Sequence, residues 1–190
     1  SWPYAYGMTD AALSVNPFYI LFLQVSSMSV ALRRYAASAL GLLNCDIDEL
    51  VRTPPGTTIF DLCRRSRQGL VVMRGRYIEP VADPGAPATG RTHRHYSHHH
   101  ADRRQAASRP KKWVLDPGRP WVRKLSVHPY MHWIEGRPPF AKSTPAGVFY
   151  RHFRGINTNW KDTRTELRHT TDGDLVRDTE FAQLVADNAF

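Results

Sequence analysis

Cysteine is scarce in this chain of 190 residues: it has two, Cys45 and Cys63, and no CxxC pair. This scarcity excludes the disulfide framework of small secreted domains, and it leaves either one bridge or two small buried side chains. Acidic residues are also few, since 17 Asp and Glu stand against 26 Lys and Arg and give a net charge of +9. The excess suits nucleic acid, an anionic membrane face or acidic proteins as partners, and a solvated basic surface without a partner is also compatible.

Catalytic motifs are missing from the sequence as well. It contains no P-loop, no GxGxxG fingerprint and no serine elbow, and its carboxylates are scattered singly outside the run from Asp46 to Glu49. No constellation offers a nucleophile, a base and an oxyanion donor together. We therefore predict no catalytic residue, no cofactor-binding residue and no enzyme activity.

Histidine is the residue type that raises the question of a metal site. His128 and His132 are spaced i, i+4, but Pro129 stands between them and the H-E-x-x-H pattern is absent, so His132 is expected to hydrogen-bond within its own segment. Five further histidines lie in an Arg-rich stretch without a matching cysteine, which is typical of a low-complexity linker. We predict no metal site at this cluster, which consists of His93, His95, His98, His99 and His100.

The N-terminal part of the chain predicts one long helix. Residues 1–16 indicate an irregular arm, at whose end Asn16 fits a helix N-cap and Pro17 the first helical position. We predict an apolar or amphipathic helix over residues 17–43. A membrane span over residues 11–32 is one interpretation of this stretch, while its polar side favours a helix packed on protein or lying at a membrane surface.

Residues 44–81 are predicted to form a short helix and a β-hairpin. Thr58 and Asp61 match a capping box before the segment IFDLCRRSRQ, and the alternative is a threonine in a loop. Two runs of period two, LVVM and RYIEPV, flank Arg74 and Gly75. This pattern predicts two strands joined by a tight turn at that glycine.

The second half of the chain has three predicted segments. Residues 82–110 are rich in Pro, Gly, Ala, Arg and His, which indicates a flexible or disordered insertion. Residues 111–162 are too broken by proline for a long helix and too aromatic for a solvated linker, so we predict an extended strap that buries its rings on another surface. Residues 163–190 form a tail with a final helix, and the predicted fold class is α+β, largely irregular. The apolar side of that helix would carry Leu175, Phe181, Leu184 and Val185.

Several short motifs follow one another in the order of a known family. They are Gly69-Leu70-Val71, Gly75-Arg76-Tyr77-Ile78-Glu79, Lys112-Trp113-Val114, Val127-His128-Pro129-Tyr130-Met131-His132-Trp133-Ile134 and Pro138-Pro139. This order resembles the 17.2-kDa accessory-subunit family of mitochondrial complex I, the NADH:ubiquinone oxidoreductase. The likeness covers residues 69–80 and 111–140. The chain departs from the family at Met131, where the family has a Trp, and it lacks one residue before Trp133.

The resemblance implies a non-catalytic structural subunit of the respiratory chain, without a cofactor. It would lie on the matrix side of the mitochondrial inner membrane, on the peripheral arm near the membrane junction, with core and accessory protein subunits as partners and with residues 17–43 near the membrane surface. A chain that begins at Ser1 and is Arg-rich suits a protein whose matrix-targeting leader has been removed, or one that has been trimmed. The candidate partner-interface residues are Tyr77, Glu79, Trp113, Trp121, His132, Trp133, Pro138 and Phe140.

Two other classes of protein are alternatives. A mitochondrial ribosomal protein would use the basic and aromatic segments KKW, RPWVRK and FYRHF on rRNA, because cations neutralise phosphates and rings stack on bases. A membrane-embedded accessory subunit of another respiratory complex or of ATP synthase would need residues 11–32 to cross the bilayer.

Overall fold

The computed structural model describes residues 22–81, 85, 100–102, 111–154, 168 and 173–187. The fold is mixed α+β and largely irregular, as predicted. Its helices are α1 (Phe22–Val30), α2 (Ile59–Arg65) and α3 (Thr179–Asp187). Its strands are β1 (Leu42–Asn44), β2 (Glu49–Arg52), β3 (Leu70–Glu79), β4 (His100–Asp102), β5 (Lys112–Leu115), β6 (His128–Pro129), β7 (Ile134–Glu135), β8 (Phe149–Phe153) and β9 (Leu175–Arg177).

The chain divides into two compact units, and both draw on distant parts of the sequence. Strand β3 gives its first four residues to the first unit and its last six to the second. The first unit consists of Ser1–Cys45, Thr53–Met73 and Lys111–Val148, and the second of Asp46–Arg52, Arg74–Pro110 and Phe149–Phe190.

The long helix predicted over residues 17–43 ends earlier than expected. Helix α1 continues as a π-helix (Ala31–Tyr35) and a 3-10 turn (Ala36–Ser38), and residues 17–21 lie outside the described part. Gly41 follows at a site where a Cβ would lie 2.5 Å from the ring of Phe60, and β1 begins directly after it. Leu42 and Leu43, at the end of the predicted helix, therefore lie in a strand. Their backbone N–H and C=O groups are satisfied by pairing with β5. No helix in the described ranges is both long enough and apolar enough to cross a bilayer.

Helix α2 confirms the capping box. The Thr58 hydroxyl accepts from the Asp61 N–H at 3.1 Å, and the Asp61 carboxylate accepts from the Thr58 N–H at 3.1 Å. Two N–H groups at the helix start are thus satisfied by side chains. Gly69 takes a positive φ of 68° after the helix and leads into β3.

The predicted hairpin at Arg74–Gly75 is wrong, because β3 is one strand of ten residues. Its first half pairs antiparallel with β5, matching Val72 to Trp113, and its second half pairs parallel with β8, matching Gly75 to Tyr150. A Cβ at Gly75 would lie 2.5 Å from the Tyr150 ring, so the glycine admits a neighbouring ring and does not make a turn.

For the described residues 111–154, the prediction of an extended strap lying on a foreign surface is wrong, and residues 155–162 lie outside the described part. The first unit orders its strands β1-β5-β3, and residues 111–148 supply most of the core around them. They do so as β5, a 3-10 turn (Pro120–Arg123) and the β6–β7 pair. The core of this unit comprises Leu32, Ala36, Leu70, Val72, Trp113, Leu115, Trp121, Val122, Val127, Ile134 and Ala141.

The second unit orders its strands β2-β8-β3-β4-β9 and carries the predicted C-terminal helix, α3. Phe181 of α3 packs on Phe153 of β8 with ring centroids 5.2 Å apart. Leu175, which was predicted on the same helix face, instead lies in β9, and Leu184 and Val185 are exposed. Strand β4 interrupts the predicted insertion 82–110, whose other residues lie outside the described part except Gly85, in a turn.

Candidate docking surface

A short hairpin in the first unit carries a stacked pair of aromatic rings, of which Trp133 is exposed. His128 pairs with Glu135 and Pro129 with Ile134, and the Tyr130 N–H donates to the Trp133 carbonyl at 2.9 Å to close the tip. We call residues 130–133 the hairpin tip.

Core side chains hold the hairpin tip in place. The indole N–H of buried Trp113 donates to the Tyr130 carbonyl at 2.6 Å, and the Asn44 amide donates to the Met131 carbonyl at 2.5 Å. Because these donors come from strands β5 and β1, the tip is fixed to the sheet by two bonds from different strands. A site positioned in this way loses little conformational entropy on binding.

Trp133 and Tyr130 form a stacked pair at the hairpin tip. Their ring centroids are 4.8 Å apart with an interplanar angle of 18°. Trp133 is 49% exposed even with Tyr130 against it. The Tyr130 hydroxyl donates to Glu135, and this hydrogen bond, followed by the carboxylate charge, raises the pKa of the phenol. The pair is therefore an ordered aromatic platform, in which Glu135 holds Tyr130 and Tyr130 supports one face of Trp133.

The loop after β7 carries a second exposed ring, that of Phe140. It is 95% exposed and has a φ of 55°, the positive value that side chains other than glycine rarely adopt. Such a conformation costs about 1–2 kcal/mol. The loop is tied back where the Arg137 guanidinium donates to the Ile134 carbonyl at 2.7 Å. Strained residues that persist in this way are concentrated at functional sites.

Cations surround the hairpin tip and this loop. The His132 ring nitrogen Nδ1 lies 3.1 Å from the Lys111 carbonyl, which places Lys111 beside the tip. The charge of Arg137, then partial burial, then the charge of Lys111 lower the pKa of the Lys142 ammonium. These like charges therefore sit close enough to repel one another, which favours an anionic partner.

A third exposed apolar side chain, Leu125, sits on the neighbouring loop and is 84% exposed. Arg123 and Lys124 precede it and are exposed as well. This loop and the Phe140 loop lie at the two ends of the β6–β7 hairpin, where a Cβ on Gly136 would collide with the Ser126 carbonyl.

Half of the predicted interface residues belong to this surface. Trp133 and Phe140 are exposed, and His132 and Pro138 are half-buried beside them. Trp113 and Trp121, by contrast, are buried in the core of their own unit, so the prediction that they fill grooves of neighbours is wrong. Their rings are covered within the unit by residues of β3, such as Leu70 and Val72, and of the segment after α1, such as Leu32.

Two predicted interface residues, Tyr77 and Glu79, lie in the second unit and not on this surface. The Tyr77 ring meets His152 edge-on with centroids 4.9 Å apart, and Glu79 is buried against Arg154 with an N–O distance of 3.3 Å. Sequence reasoning did not select Tyr130, Lys142 or Leu125 for the docking surface. The weak sequence signal that could have identified Leu125 is a lone leucine directly after two cationic residues.

The basic groups of the FYRHF segment serve the interior of the second unit. Arg151 is buried, and its guanidinium lies 2.8 Å from the Asp178 carboxylate and 2.9 Å from that of Glu180. Arg52 adds a further contact of 2.8 Å to Glu180. His152 lies 3.3 Å from both Asp48 and Glu49. Arg151 is therefore ion-paired within the unit and His152 faces two carboxylates there, so this segment does not offer these side chains to phosphates.

Neither a metal centre nor a known family accounts for these features. Within the described ranges, no group of three or more His, Cys, Asp and Glu side chains has the arrangement of a metal site. No protein-family model matches this chain, and no curated protein is similar to it.

Proposed function

We propose that this chain is a non-catalytic structural subunit of a mitochondrial respiratory complex. Its place is the peripheral arm of complex I, on the matrix side of the inner membrane near the membrane junction, and its partners are the protein subunits there. The observation that carries a docking role is the Trp133–Tyr130 stack, which is exposed at the end of a hairpin fixed by Trp113 and Asn44.

Exposed aromatic pairs of this kind suit a protein interface. Trp and Tyr are the residues on which binding energy is most often concentrated, because they bury a large rigid surface with little loss of side-chain freedom. Lys111, beside the hairpin tip, would pair with an acidic group at the rim of the partner, where charges contribute specificity and association rate.

The resemblance to the 17.2-kDa family supports the choice of assembly. Parts of the two segments that carry it, residues 70–73 and 112–115, pair with each other in the first unit through β3 and β5. The hairpin tip, which lies within the longest matching motif, is held by Trp113 of the matching basic-Trp-Val motif. Three of the motifs thus meet in the first unit, whereas the motif Gly75–Glu79 belongs to the second unit.

The test is co-migration of the tagged full chain with NADH dehydrogenase activity on native gels of detergent-solubilised mitochondria. Trp133→Ala should lower incorporation about tenfold, in line with a central interface aromatic, while Leu40→Ala, at an exposed site outside the docking surface, should leave it unchanged. Normal incorporation of the Trp133 variant would contradict the docking role. Migration with rRNA, lost on ribonuclease treatment, would favour a ribosomal protein instead.

A further inference from the structure

We infer that the Leu125 loop and the Phe140 loop of the first unit together contact an anionic phospholipid bilayer. These loops, residues 123–126 and 137–142, are called the lipid-facing loops below. They are separate in sequence from the hairpin tip that carries the proposed docking to protein, so the two proposals can fail independently. The inference goes beyond the proposed function by naming a lipid partner and the residues that meet it.

The first observation is the extreme exposure of two large apolar side chains on these two loops. Among the described residues of the first unit, Phe140 and Leu125 are the two most exposed large hydrophobic residues, at 95% and 84%. The two loops leave the two ends of the β6–β7 hairpin, where the Ser126 carbonyl lies against Gly136. Two exposed apolar side chains of this size are costly in water and gain free energy when they enter the acyl boundary of a bilayer.

The second observation is the charge that borders each apolar end. Arg123 and Lys124 precede Leu125, and Arg137 and Lys142 lie on either side of Phe140. Long cationic side chains at the edge of an apolar surface reach the headgroup layer while their stems stay in contact with it. Anionic headgroups attract such cations electrostatically, whereas a neutral bilayer has no net surface charge to attract them.

The third observation concerns the backbone of both loops, because unsatisfied backbone groups oppose entry into an apolar layer. The Arg33 guanidinium contacts the carbonyls of Lys124 and Leu125 at 2.9 and 3.4 Å. On the other loop, Pro138 and Pro139 have no N–H to satisfy, and the Ala141 N–H donates to the Pro138 carbonyl at 3.2 Å.

These same features favour lipid over single-stranded nucleic acid. Nucleic-acid sites combine accessible ring faces with donors for phosphates and bases. Leu125 has no ring on which a base could stack, and the prolines remove backbone donors where phosphates would need them. On the neighbouring hairpin tip, Tyr130 already covers one face of the Trp133 ring.

The experiment is co-sedimentation of the full chain with phosphatidylcholine vesicles that contain or lack phosphatidylglycerol. We expect binding to the anionic vesicles that weakens as salt is raised, and about tenfold weaker binding to the neutral ones. The double variant Leu125→Ser with Phe140→Ser should bind anionic vesicles at least about tenfold more weakly, because both apolar ends are lost. Leu40→Ser, at a leucine elsewhere in the unit that is 67% exposed, should bind like the wild type.

A second pair of variants protects the test against a folding artefact. Lys124→Gln with Lys142→Gln keeps the apolar ends and should also lower binding to anionic vesicles about tenfold. Circular dichroism should be the same for all variants. Equal binding to neutral and anionic vesicles, or unchanged binding of the double serine variant, would overturn the inference.

Two further measurements distinguish this inference from a nucleic-acid site and from the proposed function. A labelled single-stranded RNA oligonucleotide that binds the chain and competes with anionic vesicles would overturn it in favour of a nucleic-acid site. Trp133→Ala should keep vesicle binding, so loss of incorporation in that variant concerns the proposed function alone, and loss of vesicle binding in the double serine variant concerns the lipid-facing loops alone.

Discussion

The guanidinium of Arg33 donates to the carbonyl oxygen of Val127 at 2.7 Å, across 94 residues of sequence. It also contacts the carbonyls of Lys124 at 2.9 Å and of three further residues between 122 and 125 at 3.4–3.5 Å. The side chain that follows α1 thus fixes the loop on which Leu125 stands.

Arg33→Ala should therefore lower the free energy of unfolding by about 1–2 kcal/mol, because the loop carbonyls lose charge-assisted hydrogen bonds. Urea unfolding followed by circular dichroism measures the change. Arg34→Ala is the matched control, since the Arg34 guanidinium lies over the exposed ring of Tyr35 and is expected to contribute little. Equal stability of the two variants would show that the Arg33 bonds are weak in solution.

Gly75→Ala tests the interior position of this glycine. The new methyl group would meet the Tyr150 ring at 2.5 Å, so the strand or the ring must shift and stability should fall by about 1–3 kcal/mol. Gly173→Ala, in the same unit and with no atom within 4 Å of its Cβ position, should change stability by less than about 1 kcal/mol. A Gly75 variant as stable as the Gly173 variant would contradict the close approach of Tyr150.

Acid should selectively weaken the contact between Arg151 and Asp178. Burial raises the pKa of the Asp178 carboxyl, but hydrogen bonds from Arg151 and from the Phe181 N–H, with the charges of Arg151 and Arg76, outweigh burial and lower the pKa overall. A carboxyl with a lowered folded-state pKa stabilises the fold above its unfolded pKa of about 4, and that stability is lost as pH falls through the lower folded value.

Asp178→Asn should accordingly be less stable than the wild type by about 3 kcal/mol near pH 7, since Arg151 is buried and loses a charged partner. The difference should shrink as pH falls from about 4 through the lower folded-state pKa of Asp178, where the wild-type carboxyl also becomes neutral. Urea unfolding at both pH values measures this. A difference that stays constant with pH would mean that lost packing, not lost charge, accounts for the effect.

The two cysteines should differ in thiol reactivity. Neither is in a disulfide, and burial, as the largest cause, raises the pKa of the Cys63 thiol to about 12. Its sulfur also lies 3.2 Å from the Gly69 carbonyl. At about pH 8 almost no thiolate forms at Cys63, so a thiol reagent should modify Cys45 in the native chain and both residues in urea. Fast native modification of a Cys45→Ser variant would contradict this assignment.

The features that the sequence predicted correctly depend on neighbours along the chain. The capping box of α2 needs Thr58 and Asp61, three residues apart, and the tail helix needs an apolar side within one short segment. Hydrogen bonds and side-chain contacts over three or four residues are set by the local sequence, so no distant strand is needed to specify them.

The sequence did not reveal which aromatic residues are buried and which are exposed. Trp113 and Trp133 belong to one segment and look alike in sequence, yet the first is 1% exposed and the second 49%. Strand β3 pairs along β5 and encloses Trp113, while Trp133 lies at the hairpin tip beyond the sheet. Of the predicted interface residues, Trp133 and Phe140 are exposed and so stay candidates, whereas Trp113 and Trp121 are core residues.

Local sequence by itself determined the α+β composition, the start of α2, the helix near the C-terminus and the basic, aromatic character of residues 111–140. Tertiary structure alone decided that β3 passes straight through Gly75, because the Tyr150 ring that demands a glycine there comes from 75 residues further along the chain. It also decided that the Arg33 guanidinium hydrogen-bonds to the carbonyls of the loop that carries Leu125. Contacts over such separations depend on how strands pair in space, and no pattern of period two or 3.6 records that pairing.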